Sequence, residues 1–138
     1  MEENTNFDAL DLGDIQENLM GMAVMNVRHP ITGKLTGATI TLFGPDSQES
    51  QELDAKLSDK RLQRIQQRGV QKISSAELNE MQLEKLVGLT KEIKNFFVKG
   101  EEYASTKTNI FNLYHGNAWL REQVQDFLED RRNFFRES

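Results

Sequence analysis

Residues 22–43 read MAVMNVRHPITGKLTGATITLF, and this stretch decides the fold class. Met22–Arg28 and Leu35–Phe43 are rich in side chains that suit strands. In the second run Ala38, Ile40 and Leu42 fall on one face, and Gly37, Thr39, Thr41 and Phe43 on the other. That alternation predicts a sheet with one covered face. The connector HPITGK supplies Pro30 to preset a turn and Gly33 for a positive φ. The stretch is therefore a β-hairpin. Two strands alone are marginal in water, so the hairpin must pack on helices or pair with another chain.

Everything after the hairpin reads as helix. GPDSQE stops the strand, and Asp46 with Glu49 three positions on forms a capping-box pattern that starts a helix over about 47–68. Its apolar residues Leu53, Leu57, Leu62 and Ile65 are few and spread around half the circumference, which predicts an exposed helix. Lys60, Arg61, Arg64 and Arg68 form a basic stripe on it. A stripe of this kind is read as a solvated face, and alternatively as a contact for an acidic partner, including the chain's own arm. Ser74 and Glu77 box the start of a helix over 75–97, whose set Leu78, Met81, Leu86, Leu89, Ile93, Phe96 and Phe97 marks it as the central core helix. VKGEEYASTK reads as a loop broken at Gly100. Ser105 is placed to cap a short helix over 106–115, and Asn117 to cap a last helix over 118–135.

That last helix, in GNAWLREQVQDFLEDRRNFF (116–135), carries one Trp and three Phe in twenty residues. At 100° per residue Leu120, Val124, Phe127, Leu128, Phe134 and Phe135 fall within roughly 120°, with Trp119 at the edge and Arg131 on the border. Leu120, Val124, Phe127 and Leu128 read as core. Phe134 and Phe135 lie beyond what a short domain covers easily: either an adjoining subunit of a self-associating chain buries them, or with Trp119, Phe127 and Arg131 they are the expected partner-binding residues.

The first 21 residues hold six acids (Glu2, Glu3, Asp8, Asp11, Asp14, Glu17) and no base. Subtracting those six from the 22 acids of the chain leaves 16 against 17 basic residues, so the net charge of -5 resides in this arm. The arm 1–21 reads as a partly disordered tail, with a short amphipathic helix weakened by Gly13 as the alternative. The whole is an α+β domain over 22–138 behind an acidic arm, with one hairpin and about four helices.

The 138 residues suffice for one core without staples. There is no Cys, so no disulfide or thiolate metal site forms. No apolar run approaches the ~20 residues of a membrane span, and the acidic N-terminus is unlike the basic start of a signal peptide. A near-neutral domain argues against a dedicated nucleic-acid binder, leaving only the basic stripe as a candidate contact. His29 and His115 each sit in a turn-like context without a second ligand at metal spacing, and read as structural. No phosphate loop, dinucleotide fingerprint or nucleophile elbow is present, and Glu129 and Asp130 point to different helix faces. The residues indicate neither an enzyme nor a cofactor.

The order of these segments resembles a known family. NVRHPITGK (26–34), then ITLFGPDSQE (40–49), then a basic-polar helix, is similar to the start of small tail assembly chaperones of long-tailed bacteriophages. NIFNLYHGNAWLREQVQDFLEDRRNFF (109–135) is similar to the family's ending: Asn109, the Leu113-Tyr114 pair, Trp119-Leu120, Gln123-Val124, then Asp130, Arg131, Asn133 and Phe134. The likeness covers about residues 22–135, and the middle helix matches in character only. The family often has Trp where this chain has Phe96-Phe97, and Pro where it has Ala118. The resemblance implies a non-enzymatic protein, working without ATP, that binds the long helical tape measure protein and keeps it soluble until tube subunits polymerise around it. It also implies action in the cytoplasm of the infected cell and absence from the finished virion. The alternative is a structural tail component, a connector or tube-end protein that stays in the particle.

Overall fold

The computed structural model describes residues 9–19, 21–68 and 74–135. In chain order the elements are helix α1 (Leu12–Leu19), strands β1 (Met22–Arg28) and β2 (Leu35–Phe43), helices α2 (Gln48–Arg68) and α3 (Ser75–Leu89), strands β3 (Thr90–Lys94), β4 (Phe97–Val98) and β5 (Glu101–Glu102), helices α4 (Lys107–Gly116) and α5 (Ala118–Glu129), and a 3-10 turn (Arg131–Phe134). The chain is an α+β fold, as the hairpin stretch predicts.

β1 and β2 pair antiparallel, with Met25 opposite Ile40 and Asn26 opposite Thr39. Ala38, Ile40 and Leu42 are buried, together with Met25 and Val27 of β1. Gly33 takes φ +71°, as the turn requires. His29 stitches the turn: its Nδ1 accepts from the backbone N–H of Ile31 and of Thr32 at 3.1 and 3.2 Å.

The helix expected over 75–97 ends at Leu89, and this is the main correction to the sequence reading. The Thr90 N–H closes the last turn on the Val87 carbonyl, and Thr90–Lys94 then runs antiparallel to β2, with Ile93 opposite Ile40. The chain therefore supplies its own third strand, in the order β1-β2-β3. The local pattern suits a helix as well as a strand. What decides is the open edge of β2, whose backbone groups gain partners only if this segment is extended. Thr90 secures the switch point. Its buried hydroxyl lies 2.8 Å from the Leu86 carbonyl and 2.6 Å from the Tyr114 hydroxyl. Desolvation pushes the Tyr114 phenol up to about 12, against the lowering effect of the Thr90 hydrogen bond.

The stretch read as a loop after residue 97 is a small hairpin. Phe97 pairs with Glu102 and Val98 with Glu101, across Lys99 and Gly100 at φ +52° and +85°. Two successive positive φ angles give the turn twist that a two-residue hairpin needs.

Three caps differ from expectation. Ser47, not Asp46, starts α2: its Oγ accepts from the Ser50 N–H at 3.1 Å while donating to the Gly44 carbonyl at 2.6 Å. Thr106, not Ser105, caps α4 by accepting from the Asn109 N–H at 3.2 Å. Ser105 instead bonds both the N–H and the carbonyl of Ile93, each at 2.9 Å, along the free side of β3. Asn117 precedes α5 but makes no side-chain cap there; its amide donates to the Leu113 carbonyl at the end of α4. The Ser74–Glu77 box forms as read, with the Glu77 N–H donating to Ser74 Oγ at 3.2 Å.

The core lies between the inner sheet face and helices α3, α4 and α5, through Leu83, Leu86, Val87, Ile110, Leu113, Tyr114, Leu120 and Val124. Of the residues assigned to the long core helix, Leu78 and Phe97 are exposed instead. α2 contributes Leu57 and packs on α3. In the arm, Leu12–Leu19 takes the helical alternative, and Met1–Asp8 and Met20 lie outside the described residues. Gly13 is tolerated because it sits in the first turn, where Asp11 Oδ1 accepts from its N–H at 2.9 Å.

Candidate partner-binding grooves

The expected helix over 118–135 is two pieces. α5 stops at Glu129, and Asp130 adopts an extended conformation. Its carboxylate accepts from the Arg132 N–H at 3.1 Å and from the Arg132 guanidinium at 2.9 and 2.8 Å, restarting the chain as a 3-10 turn. Those hydrogen bonds hold the Asp130 carboxyl below its ordinary range. Asn133 Nδ2 donates to the Phe127 carbonyl at 2.9 Å, satisfying a carbonyl at the helix end.

The bend folds Phe134 back under the domain, where it is 1% exposed. Its ring meets Phe127 edge-on, with centroids 5.4 Å apart at 78°. A Cβ at Gly44 would lie 3.0 Å from that ring, so the glycine is what lets Phe134 seat. This corrects the assignment of Phe134 to a partner surface: the domain covers it. Phe135 remains 43% exposed.

The five expected partner residues do not form one surface. Trp119 and Phe127, both half-buried against the core, line a groove of about 500 Å³ between α5 and the edge of β1. There the Gln123 amide grips the edge strand, accepting from the Arg28 N–H at 3.0 Å and donating to the Arg28 carbonyl at 2.7 Å. Arg131 reaches Asp46 with its guanidinium, at 2.6 and 3.3 Å, which raises the affinity of Arg131 for its proton. That pairing ties the 3-10 turn to the start of α2 and uses the residue first expected to cap that helix.

A different feature has the shape of a helix-binding site. Ala76, Asn79, Glu80, Leu83 and Leu86 share one face of α3, and Ala118, Arg121, Glu122 and Gln125 one face of α5. With Phe111 and His115 of α4 they line a groove of about 710 Å³. Past Gln82, Leu86 and Gln125 it continues as a groove of about 620 Å³ lined by Leu89, Leu128 and Arg131. The trough thus follows the length of α3, on the order of 20 Å at 1.5 Å per residue. Leu83, Leu86 and Leu89 lie nearly buried at its base, Ala76, Phe111 and Ala118 offer exposed apolar surface, and Asn79, Glu80, Gln82, Arg121, Glu122 and Gln125 make the rest of the lining polar. Phe111 stacks on His115 with ring centroids 5.7 Å apart, and Arg121 donates to the Tyr114 carbonyl at 2.6 Å, so both walls are held in place. Sequence reading missed these residues. The available signal is the pair of small side chains, Ala76 and Ala118, on two otherwise bulky amphipathic helices.

Two of the four residues of the basic stripe are paired inside the molecule. Lys60 meets Glu84 at 3.3 Å, and Arg64 meets Glu77 at 3.5 Å and Glu80 at 3.9 Å, while Lys85 returns from α3 to Asp54 at 2.7 Å. Arg61 is exposed, and the Arg68 side chain lies outside the described residues. Lys60, Arg64 and Lys85 thus bridge α2 and α3 at the surface, and Arg61 stays open to solvent. Among the described residues no group of three His, Asp or Glu is placed to hold a metal, and no helix is long and apolar enough to cross a membrane.

No protein-family model, curated protein or solved structure matches the chain.

Proposed function

We propose that this chain is a non-enzymatic tail assembly chaperone that holds an amphipathic helix of the tape measure protein in the trough between α3 and α5. The observation that carries the reading is the trough itself: a groove about 20 Å long between two helix faces, with Ala76, Phe111 and Ala118 exposed within a mixed polar lining, a shape that helix-in-groove recognition uses. The ordered resemblance of residues 22–135 to the tail assembly chaperones supplies the client. A tape measure exposes long apolar helix stripes, which aggregate unless covered. Without ATP, release follows from competition with the assembling tube. The protein then acts in the host cytoplasm and leaves before the particle is finished.

Co-expression with the tape measure protein tests the reading. The tape measure protein is expected in the supernatant with this chain present and in the pellet without it; equal pelleting overturns the proposal. Ala76→Arg with Ala118→Arg fills the trough from exposed wall positions and is expected to abolish the effect while leaving the circular dichroism spectrum intact. Retention of the chain in purified virions, read by mass spectrometry, would replace this reading with that of a structural tail component.

A further inference from the structure

A second groove, of about 400 Å³, lies on the other side of Phe111, between α2, α3 and α4. Its floor includes Leu57, Val87 and Phe111, and Lys56, Lys60 and Lys107 stand on its rim. Gly88 sets the approach of the two long helices, since a Cβ there would fall 2.6 Å from Leu53 Cδ2. Lys60 is shared with Glu84, whereas Lys56 and Lys107 have no ion-pair partner among the described residues. The groove is therefore apolar below and positive above.

Helix α1 has the complementary character. Leu12, Ile15 and Leu19 share one face, and Asp14 and Glu17 lie on the other, while Asp11 caps the helix start. No side chain of α1 is buried, and Leu10 and Leu12 are 70% and 62% exposed. α1 contains no basic residue. In its own chain it meets the 3-10 turn. It is an amphipathic helix whose apolar face is only partly covered in a single copy: Ile15 and Leu19 are half-buried, and Leu12 stands in solvent.

We propose that the α2–α3–α4 groove receives helix α1 of a second copy of this chain. Apolar Leu12 and Ile15 enter the groove, and Asp14 and Glu17 face the lysine rim. Donor helix and receiving groove are different surfaces, so the contact is head-to-tail and propagates into a ring or an open chain. An eight-residue helix covers less than a standard interface, so the association is weak and concentration-dependent. It involves neither the α3–α5 trough nor the client, and is read in their absence.

Two charge-reversed variants test it by sedimentation over a concentration series. Asp14→Lys with Glu17→Lys reverses the arm while leaving the Asp11 cap in place; Lys56→Glu with Lys107→Glu reverses the rim at exposed sites. Wild type is expected to associate, each variant alone to show a dissociation constant raised at least about tenfold, and an equimolar mixture of the two to regain association. A wild type that stays monomeric, or an arm-reversed variant that associates like wild type, overturns the proposal. The chain has no cysteine, so a mixture of Leu12→Cys and Thr108→Cys proteins gives a second readout. A mixed disulfide dimer on mild oxidation is expected, and its absence overturns the proposal.

Discussion

The two ends of the described chain are both amphipathic, and they touch: α1 packs on the 3-10 turn that follows α5. Their fates differ. α5 and the turn bury Leu120, Val124 and Phe134 completely, whereas α1 buries nothing. Periodicity is common to both, so periodicity alone does not make a segment core. The C-terminal segment is anchored from several directions: Gln123 to Arg28, Arg131 to Asp46, Asn133 to the Phe127 carbonyl, and Phe134 over Gly44. α1 has one neighbour and eight residues, too few to hold an isolated helix. Amphipathic segments become core when several other elements fix their orientation; α1, which meets the 3-10 turn, leaves much of its apolar face exposed.

The sharpest way to break this comparison is Phe134→Ala. Loss of a fully buried ring is expected to cost about 3–5 kcal/mol in urea unfolding, and a cost below about 1 kcal/mol would make the two ends equally peripheral. Next is the alkaline limb of stability. The Tyr114 phenol is raised in the folded state, so its contribution is complete below the unfolded value near 10 and is lost as pH rises towards about 12. The two-unit difference corresponds to about 3 kcal/mol. Tyr114→Phe, which costs on the order of 1 kcal/mol at neutral pH, is expected to flatten that limb relative to wild type. Gly44→Ala pushes on the Phe134 ring and on the Gly21 carbonyl, with an expected cost of about 1–3 kcal/mol by thermal unfolding. The smallest effects belong to the exposed positions. Phe135→Ser and Leu12→Ser are each expected to change monomer stability by less than about 0.5 kcal/mol, and a larger loss for Leu12→Ser would mean that α1 belongs to the domain after all.

Much of the fold was legible. The hairpin, its inward face and its positive-φ glycine followed from alternation and turn chemistry, the Ser74 cap from its spacing, and α2 and α4 from their breakers and periodicity, each with its cap read one residue too early. What misled was every decision that depends on a distant partner. Thr90–Lys94 reads locally as more helix, and becomes a strand because β2 has an edge to fill. Asp46 has the right spacing to cap α2, and is drawn away by Arg131 from 85 residues later. Phe134 continues a helical stripe on paper, and reaches the core only because Asp130 breaks the helix. The candidate site was less visible. Trp119 and Phe127 do line a groove, but the larger trough is made of faces of α3 and α5, and no single segment records that they lie side by side. The closing pattern that carries the family resemblance also has structural duties here: Gln123 grips the sheet edge, Asp130 and Asn133 shape the bend, and Phe134 fills the core.

By itself, then, the sequence determined the α+β class, the buried face of the hairpin, the amphipathic character of each helix and the acidic isolation of the arm. These depend on neighbours within a turn or two, or on alternation along one strand. Only the tertiary structure decided where α3 gives way to β3, which serine or threonine caps each helix, which Phe of the last pair is buried, and where the helix-lined trough opens. Those outcomes are set by backbone groups and side chains far apart in the chain competing for the same few partners, and the free energy of that competition is not contained in any one stretch.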